Sequence, residues 1–306
     1  MTSATNSSKQ RTPLAISGVV FVILAALGFS SKGILIKLAY AIDPRIDAIS
    51  VMAMRMLLAL PFFLFVAVHI ARQQGTTPLL RQDVYSIFAL GFLGYYASSW
   101  LDFTGLSYIS ASLERLILYL YPTLVVLLSA MYYRRTISHP ERYALAIGYA
   151  GIALVFAVDL RFVGVDVLAG GALVFAAALS YAVFLIASAH TIQRVGAARF
   201  TAYTMSIATL LTLAHYVFQH GVQLEQFSRE FYLLGLAMAV FCTVIPAFLM
   251  NAGIQRIGAG MTAMLSSIGP VVTISLAYLL LHESIVPVQL VGAALIIGSV
   301  LLLVRR

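Results

Sequence analysis

Charge is what this sequence has least of. Of its 306 residues, 10 % are Asp, Glu, Lys or Arg and 61 % are hydrophobic, whereas soluble domains sit near a quarter charged and half apolar. No polar stretch is long enough to build an extramembrane domain, which excludes a soluble enzyme. Cys242 is the only cysteine, so there is no disulfide scaffold. No nucleotide-binding loop is present, which argues against ATP-driven pumping. His190, His215 and His220 show no metal-ligand spacing, and His282-Glu283 lacks the second histidine of a zincin helix. No metal, catalytic residue or bound cofactor is therefore expected.

Long hydrophobic runs take the place of charge. Ten can be read, over residues 14–40, 46–70, 84–106, 109–133, 143–158, 165–189, 200–219, 231–252, 259–281 and 286–304, each near the ~20 apolar residues that span a bilayer as a helix. They are continuously apolar rather than alternating, which excludes a transmembrane barrel. Pro61, Pro122, Pro246 and Pro270 lie inside these runs, and bilayer helices tolerate proline where neighbours re-satisfy the freed carbonyl. Residues 1–13 are polar and carry Lys9 and Arg11. The run after them continues through Lys32 and Lys37 without a cleavage site, so it reads as a retained first helix and not a signal peptide. The sequon at Asn6-Ser7-Ser8 then faces the cytoplasm and stays unused.

The net charge of +8 is a topology signal. With the amino terminus inside, Lys9, Arg11, Arg72, Arg81, Arg134, Arg135, Arg142, Arg194, Arg199, Arg256, Arg305 and Arg306 fall in cytoplasmic loops, and only Arg45, Arg161 and Arg229 outside. Acidic residues do the reverse: Asp43, Asp47, Asp159, Asp166, Glu225, Glu230 and Glu283 are outside, Asp83 and Glu141 inside. This is the positive-inside pattern with both termini cytoplasmic, and it leaves a nucleic-acid partner without support.

The chain also repeats itself. At an offset of 148, Gly105 meets Gly253, Ile109 meets Ile257, Ala111 meets Ala259, Pro122 meets Pro270 and Ile137 meets Ile285; at 152, Ala25-Ala26-Leu27 meets Ala177-Ala178-Leu179. Two halves of five helices each start from opposite faces of the membrane, which makes an inverted repeat. The expected fold is all-α: ten transmembrane helices as two inverted five-helix repeats, 14–158 and 159–306, after the polar 1–13.

Gly28-Phe29-Ser30-Ser31-Lys32 with Lys37, Met54-Arg55-Met56, Gly105-Leu106, Leu120-Tyr121-Pro122-Thr123, Ala252-Gly253, Ser267-Ile268-Gly269-Pro270 and Leu281-His282-Glu283-Ser284 resemble the drug/metabolite transporter superfamily, in its ten-helix EamA-type branch. The resemblance covers nearly the whole chain. It implies a bacterial inner-membrane carrier of small metabolites, often an exporter of amino acids or related compounds. The glycine-glutamate pair common at the end of the fourth helix is Arg134-Arg135 here, so no role carries over to that position.

Six charges remain inside helices: Lys32, Lys37, Arg55, Asp102, Glu114 and Arg115, all in the first repeat. Each costs roughly 2.5–3.5 kcal/mol at the bilayer centre, so such groups face a cavity or one another. Lys37 can snorkel to the outer interface. Lys32, Arg55 and Arg115 then exceed Asp102 and Glu114 by one positive charge. Either the surplus meets an anionic group of the substrate, such as a carboxylate, or the group is a static ion-pair network. Glu114 is the candidate for proton coupling. Trp100 with Tyr95 and Tyr96, and Tyr119 with Tyr121, are candidates to hold apolar or cationic parts of a substrate, or belong to packing and the interfacial belt. Small residues at Gly148-Tyr149-Ala150-Gly151 and Gly292-Ala293-Ala294 through Gly298-Ser299 permit close helix contact, within the chain or in a homodimer. The leading expectation is a secondary transporter exporting a small amphipathic metabolite by alternating access. The alternatives are an organic-anion uptake or exchange carrier, and a membrane-embedded enzyme or lipid-handling protein.

Overall fold

The computed structural model describes residues 5–73, 78–132, 134, 136–163, 166–222, 227–266, 268–283 and 286–304. Arg135, Glu225, Ser267, Ser284, Ile285, Arg305 and Arg306, used above for topology, repeat and resemblance, lie outside the described residues. Every regular element among the described residues is helical: α1 Thr5–Ile42, α2 Ala48–Ala71, α3 Arg81–Leu90, α4 Ser98–Leu106, α5 Ala111–Leu118, α6 Tyr121–Tyr132, α7 His139–Val163, α8 Asp166–Val195, α9 Ala197–His220, α10 Arg229–Ala239, α11 Ile245–Leu265, α12 Ile268–Leu281 and α13 Pro287–Val304. A π-helical segment, Gly91–Ala97, joins α3 to α4, and a second, Val240–Val244, joins α10 to α11.

Five helical stretches are long and apolar enough to cross a membrane: Ile16–Ile42, Ala48–Ala71, Ala111–Tyr132, Asp166–Val195 and Arg229–Ala263. The surface agrees with that reading. Phe65, Phe218, Tyr85 and Leu279 are exposed, while Arg55, Asp102, Glu114 and Arg115 are buried. In water this arrangement would be inside out; against lipid it is the stable one, because hydrocarbon solvates the apolar face and offers nothing to a charge.

Helix starts follow local chemistry. Asp47 accepts hydrogen bonds from the Ser50 N–H at 2.9 Å and the Ser50 hydroxyl at 2.6 Å, opening α2. Ser110 accepts from the Leu113 N–H at 3.1 Å and opens α5, and Ser228 accepts from the Phe231 N–H at 3.3 Å and opens α10. The expectation of continuous runs is corrected in detail. The run over 109–133 is broken between Leu118 and Tyr121, and the run over 259–281 between Leu265 and Ile268. Proline is the physical reason. Pro122 and Pro270 each sit in the first turn of a new helix, where no N–H is needed; Pro61 lies within α2, and Pro246 follows the second π segment without a break. Gly258, at φ 80° and ψ 163°, turns the chain inside α11 at the boundary between the eighth and ninth runs.

Helices of the two sequence halves pack across each other. α1 lies against α11 and α12, α8 against α4 and α6, α2 against α9, and α7 against α13. Gly148, Gly151 and Gly292 are used in this last contact: a Cβ on Gly151 would come within 2.9 Å of the Gly292 carbonyl oxygen, and one on Gly148 within 2.9 Å of the Ser299 hydroxyl. Both breaks and both π segments recur near the 148-residue sequence offset.

Gly292→Leu drives a side chain into Val155 and the Gly151 carbonyl, an overpacking that costs about 1–3 kcal/mol. Thermal unfolding of the detergent-solubilised protein should show a lower midpoint for Gly292→Leu and none for Gly298→Ala, whose Cβ would meet nothing within 4 Å.

Candidate functional site

A central cavity holds about 770 Å³ of space free of protein atoms, open solvent at its mouth included. The charged side chains converge on it from four helices: Lys32 of α1, Arg55 of α2, Asp102 of α4 and Arg115 of α5 all line it. Lys32 Nζ donates to Asp102 Oδ2 at 2.5 Å, with the two side chains 12 % and 2 % exposed. This pair ties α1 to α4 at depth.

The two arginines are different. Arg55 is 3 % exposed. It donates to the Thr243 hydroxyl at 3.3 Å and approaches the Ser99 hydroxyl at 3.5 Å, and its guanidinium carbon lies 4.8 Å from the centre of the Phe103 ring. Arg115 donates to the Ser30 hydroxyl at 3.0 Å and lies so close to Gly269 that any side chain there would overlap it. Neither guanidinium has a hydrogen bond to a carboxylate among the described residues, and the Nε of each lacks a partner. Buried guanidinium donors are normally satisfied, so the cavity presents unused donors suited to a planar anion.

Glu114 is buried but does not line the cavity. It sits behind Asp102, within hydrogen-bonding reach of it, and a Cβ on Gly33 would come 3.1 Å from its Oε2. Tyr119 is buried too, outside the cavity lining; its hydroxyl donates to the Ala263 carbonyl at 3.3 Å, beside that of Tyr121 at 3.2 Å. The two phenols fasten the α5–α6 break to α11. Trp100 is 37 % exposed and stands edge-on to His215, ring centres 5.6 Å apart, away from the cavity. Tyr96 meets the same histidine at 3.0 Å. Tyr95 lines the cavity, held by the Asn251 amide at 2.8 Å and edge-on to Phe184. Lys37 is half-buried and feels the charges of both Glu283 and Glu114.

Several contributors were not singled out from sequence. Glu283, just past α12, accepts from the Ala111 N–H at 3.0 Å, the Ser112 N–H at 3.3 Å and the Ser112 hydroxyl at 2.8 Å. It caps the helix that carries Glu114 and Arg115, where a carboxylate also complements the helix dipole. Thr243 sits in the second π segment and donates to the Met238 carbonyl at 3.0 Å, which leaves its oxygen to accept from Arg55. Phe29 and Tyr181 add aromatic wall.

The lining falls into repeat pairs. Gly94 and Cys242, Tyr95 and Thr243, Ser99 and Ala247, Asp102 and Met250, and Leu118 and Ser266 are each 148 apart, and Phe29 and Tyr181 are 152 apart. A model of an EamA-like transporter family matches twice, over residues 16–157 and 168–305. The chain belongs to that family, and so to the drug/metabolite transporter superfamily. It is 30 % identical over 288 residues to the uncharacterized transporter YcbK of Bacillus subtilis (strain 168), covering 91 % of this chain and 89 % of that protein. Uncharacterized transporter YyaM of the same organism is 25 % identical over 225 residues, covering 72 % of this chain and 73 % of its own. A solved crystal structure, 18 % identical, superposes with a TM-score of 0.67 over 94 % of this chain and 96 % of that one, and so shares the fold. This EamA-family protein is a multi-pass membrane transporter.

Removing one member of the Lys32–Asp102 pair strands a buried charge, which costs about 3–5 kcal/mol. Lys32→Met and Asp102→Asn should each lower the unfolding midpoint strongly. The double variant should recover part of the loss, and the double-mutant cycle measures the coupling.

Proposed function

We propose that this transporter crosses the bacterial inner membrane ten times with both termini in the cytoplasm, as two inverted five-helix repeats, and exports a small amphipathic carboxylate by alternating access. Amino acids and related compounds are the substrate class. The observation that carries this reading is the cavity's division of labour. The first repeat supplies Lys32, Arg55, Asp102 and Arg115. The second supplies no charged side chain to the described lining: Met250 stands at the position paired with Asp102, and Tyr181, Met205, Thr243 and Ala247 are uncharged.

The shape repeats and the chemistry does not. A ligand in the cavity meets charged side chains from the first half together with apolar and aromatic wall from both, which suits an anionic head on an apolar body. Arg55 takes the head, as its hydroxyl partners leave the guanidinium charge uncompensated locally. Tyr95, Tyr121 and Tyr181 hold the body. Paired breaks near Pro122 and Pro270 sit where inverted-repeat carriers place discontinuous helices. The surplus of positive charge favours a second reading, uptake or exchange of an organic anion.

Radiolabelled L-amino acids and monocarboxylates in proteoliposome counterflow provide the test. Saturable exchange supports a carrier, and chemical conversion would support a membrane-embedded enzyme instead. Arg55→Gln should raise the half-saturation concentration at least tenfold, the worth of one charge-assisted hydrogen bond of about 1.5–3 kcal/mol; unchanged affinity sinks the assignment. Cys242, the only cysteine, is buried in the cavity wall next to Arg55. A small membrane-permeant thiol reagent should inactivate exchange, and saturating substrate should slow the labelling.

A further inference from the structure

Hydrogen-bond accounting singles out one group that the substrate reading leaves unexplained. Glu114 is 1 % exposed, and among the described residues neither of its carboxyl oxygens has a donor. Asp102 Oδ2 takes Lys32, but Asp102 Oδ1 has no donor either. The two carboxyl groups lie within hydrogen-bonding reach of each other. Two ionised carboxylates there would repel, with three buried acceptor oxygens unsatisfied among the described residues. A proton removes the conflict: a carboxylic acid has one O–H donor, and like charges sharing a site cannot both stay ionised.

We propose that Glu114 and Asp102 form a buried acid pair that holds one exchangeable proton, carried on Glu114 and donated to Asp102 Oδ1, and that this proton binds together with the substrate carboxylate. The inference rests on the carrier reading above; because the proton travels with the carboxylate, export is then driven by the outward substrate gradient, and an inward proton gradient drives the reverse direction. Every ionisable neighbour that faces the pair enters its balance. α1 contributes Lys32 and Lys37, with Tyr40 towards Asp102, α4 Asp102 itself, α5 Arg115, and α2 Arg55 towards Asp102; Glu283 past α12 acts through Lys37, Tyr121 of α6 and Tyr181 of α8 through Arg115, and Cys242 through Lys32 and Arg55.

The step balances simply. A proton from water forms the Glu114 O–H on loading, and that bond breaks to return a proton to water on release. With the proton aboard, Lys32, Arg55 and Arg115 face one carboxylate; without it they face two. Loading raises the site's charge by one, so the sign is fixed: carboxylate affinity rises as pH falls, by at most about tenfold per pH unit for a single linked proton. Lys32 holds the Asp102 carboxyl in place through Oδ2 and leaves Oδ1 as the acceptor, which makes it a positioning residue.

Infrared difference spectroscopy on the purified full chain in lipid nanodiscs tests the pair without any ligand. At neutral pH the wild type should show a protonated-carboxyl band that shifts in heavy water. Labelling the glutamate carboxyls with carbon-13 should move that band, which assigns it to glutamate with no mutation, and Glu114→Gln should abolish it. A spectrum without the band, or one unchanged in Glu114→Gln, overturns the pair. In proteoliposomes, counterflow of radiolabelled L-phenylalanine and of phenylacetate should tighten on acidification, and Glu114→Gln, a fixed mimic of the loaded state, should bind tightly with no pH dependence. Weakening on acidification would overturn the linkage. Wild type that exchanges neither probe nor any member of the wider panel would sink the carrier reading and leave the infrared result standing. Exchange without the acid band would sink the pair alone.

Discussion

The Lys32–Asp102 ion pair is the contact on which the rest of the site depends. In hydrocarbon an unpaired charge is far costlier than in water, so a helix carrying Lys32 is held where a carboxylate can meet it. That pairing joins α1 to α4 and sets the positions of everything nearby. Phe103, next to Asp102, lies 5.5 Å from the Lys32 ammonium and 4.8 Å from the Arg55 guanidinium. Gly33, next to Lys32, leaves the space that Glu114 fills. The cluster is therefore a fixed frame with one internal pair. Its remaining cations reach the cavity through hydroxyls, whose weak acceptance leaves them available to a ligand.

Around this frame the two halves build one cavity of near-repeating shape. Each half's first helix packs on elements from the other half, α1 on α11 and α12 and α8 on α4 and α6, so neither half can enclose the site alone. The π segments are part of the same device. A π turn advances the helix out of its usual register, and here it brings Tyr95 and Thr243, residues 148 apart, to the same cavity from opposite halves. Shared geometry with unshared chemistry gives the cavity charged side chains from the first half together with apolar and aromatic wall from both. A fully symmetric pair of halves would place Asp102's charge opposite its own copy; Met250 stands there instead.

Much of this was legible in the chain. Charge is so scarce that Lys32, Arg55, Asp102 and Arg115 stand out by rarity, and bilayer energetics converts rarity into an inward-facing prediction that the packing meets. Trp100 carried the same kind of rarity without the same warrant. An indole is at home at an interface or against lipid, so its scarcity predicts nothing about direction, and it lies outward against His215. Thr243 and Ser99 were invisible because a hydroxyl among apolar residues usually bonds its own helix, as Thr201, Thr204, Thr209 and Thr212 do. Only the π register turns Thr243 towards Arg55. The helix breaks were half legible: prolines marked them, but proline within a bilayer helix also fits a kink, and the distinction depends on which carbonyls neighbouring side chains take up.

The halves also differ in how their helix ends are held. Glu283 satisfies two N–H groups and a hydroxyl at the start of α5, joining the end of one half to the broken helix of the other. Its counterpart at the 148-residue offset is Arg135, and the counterpart of Ala111 is Ala259. An arginine has no acceptor for a helix-start N–H and is repelled by the dipole there, so the second half cannot make the same clasp whatever conformation it adopts. The sequence departure at Arg134-Arg135 thus leaves the Glu283 clasp without a chemical counterpart at the 148-residue offset.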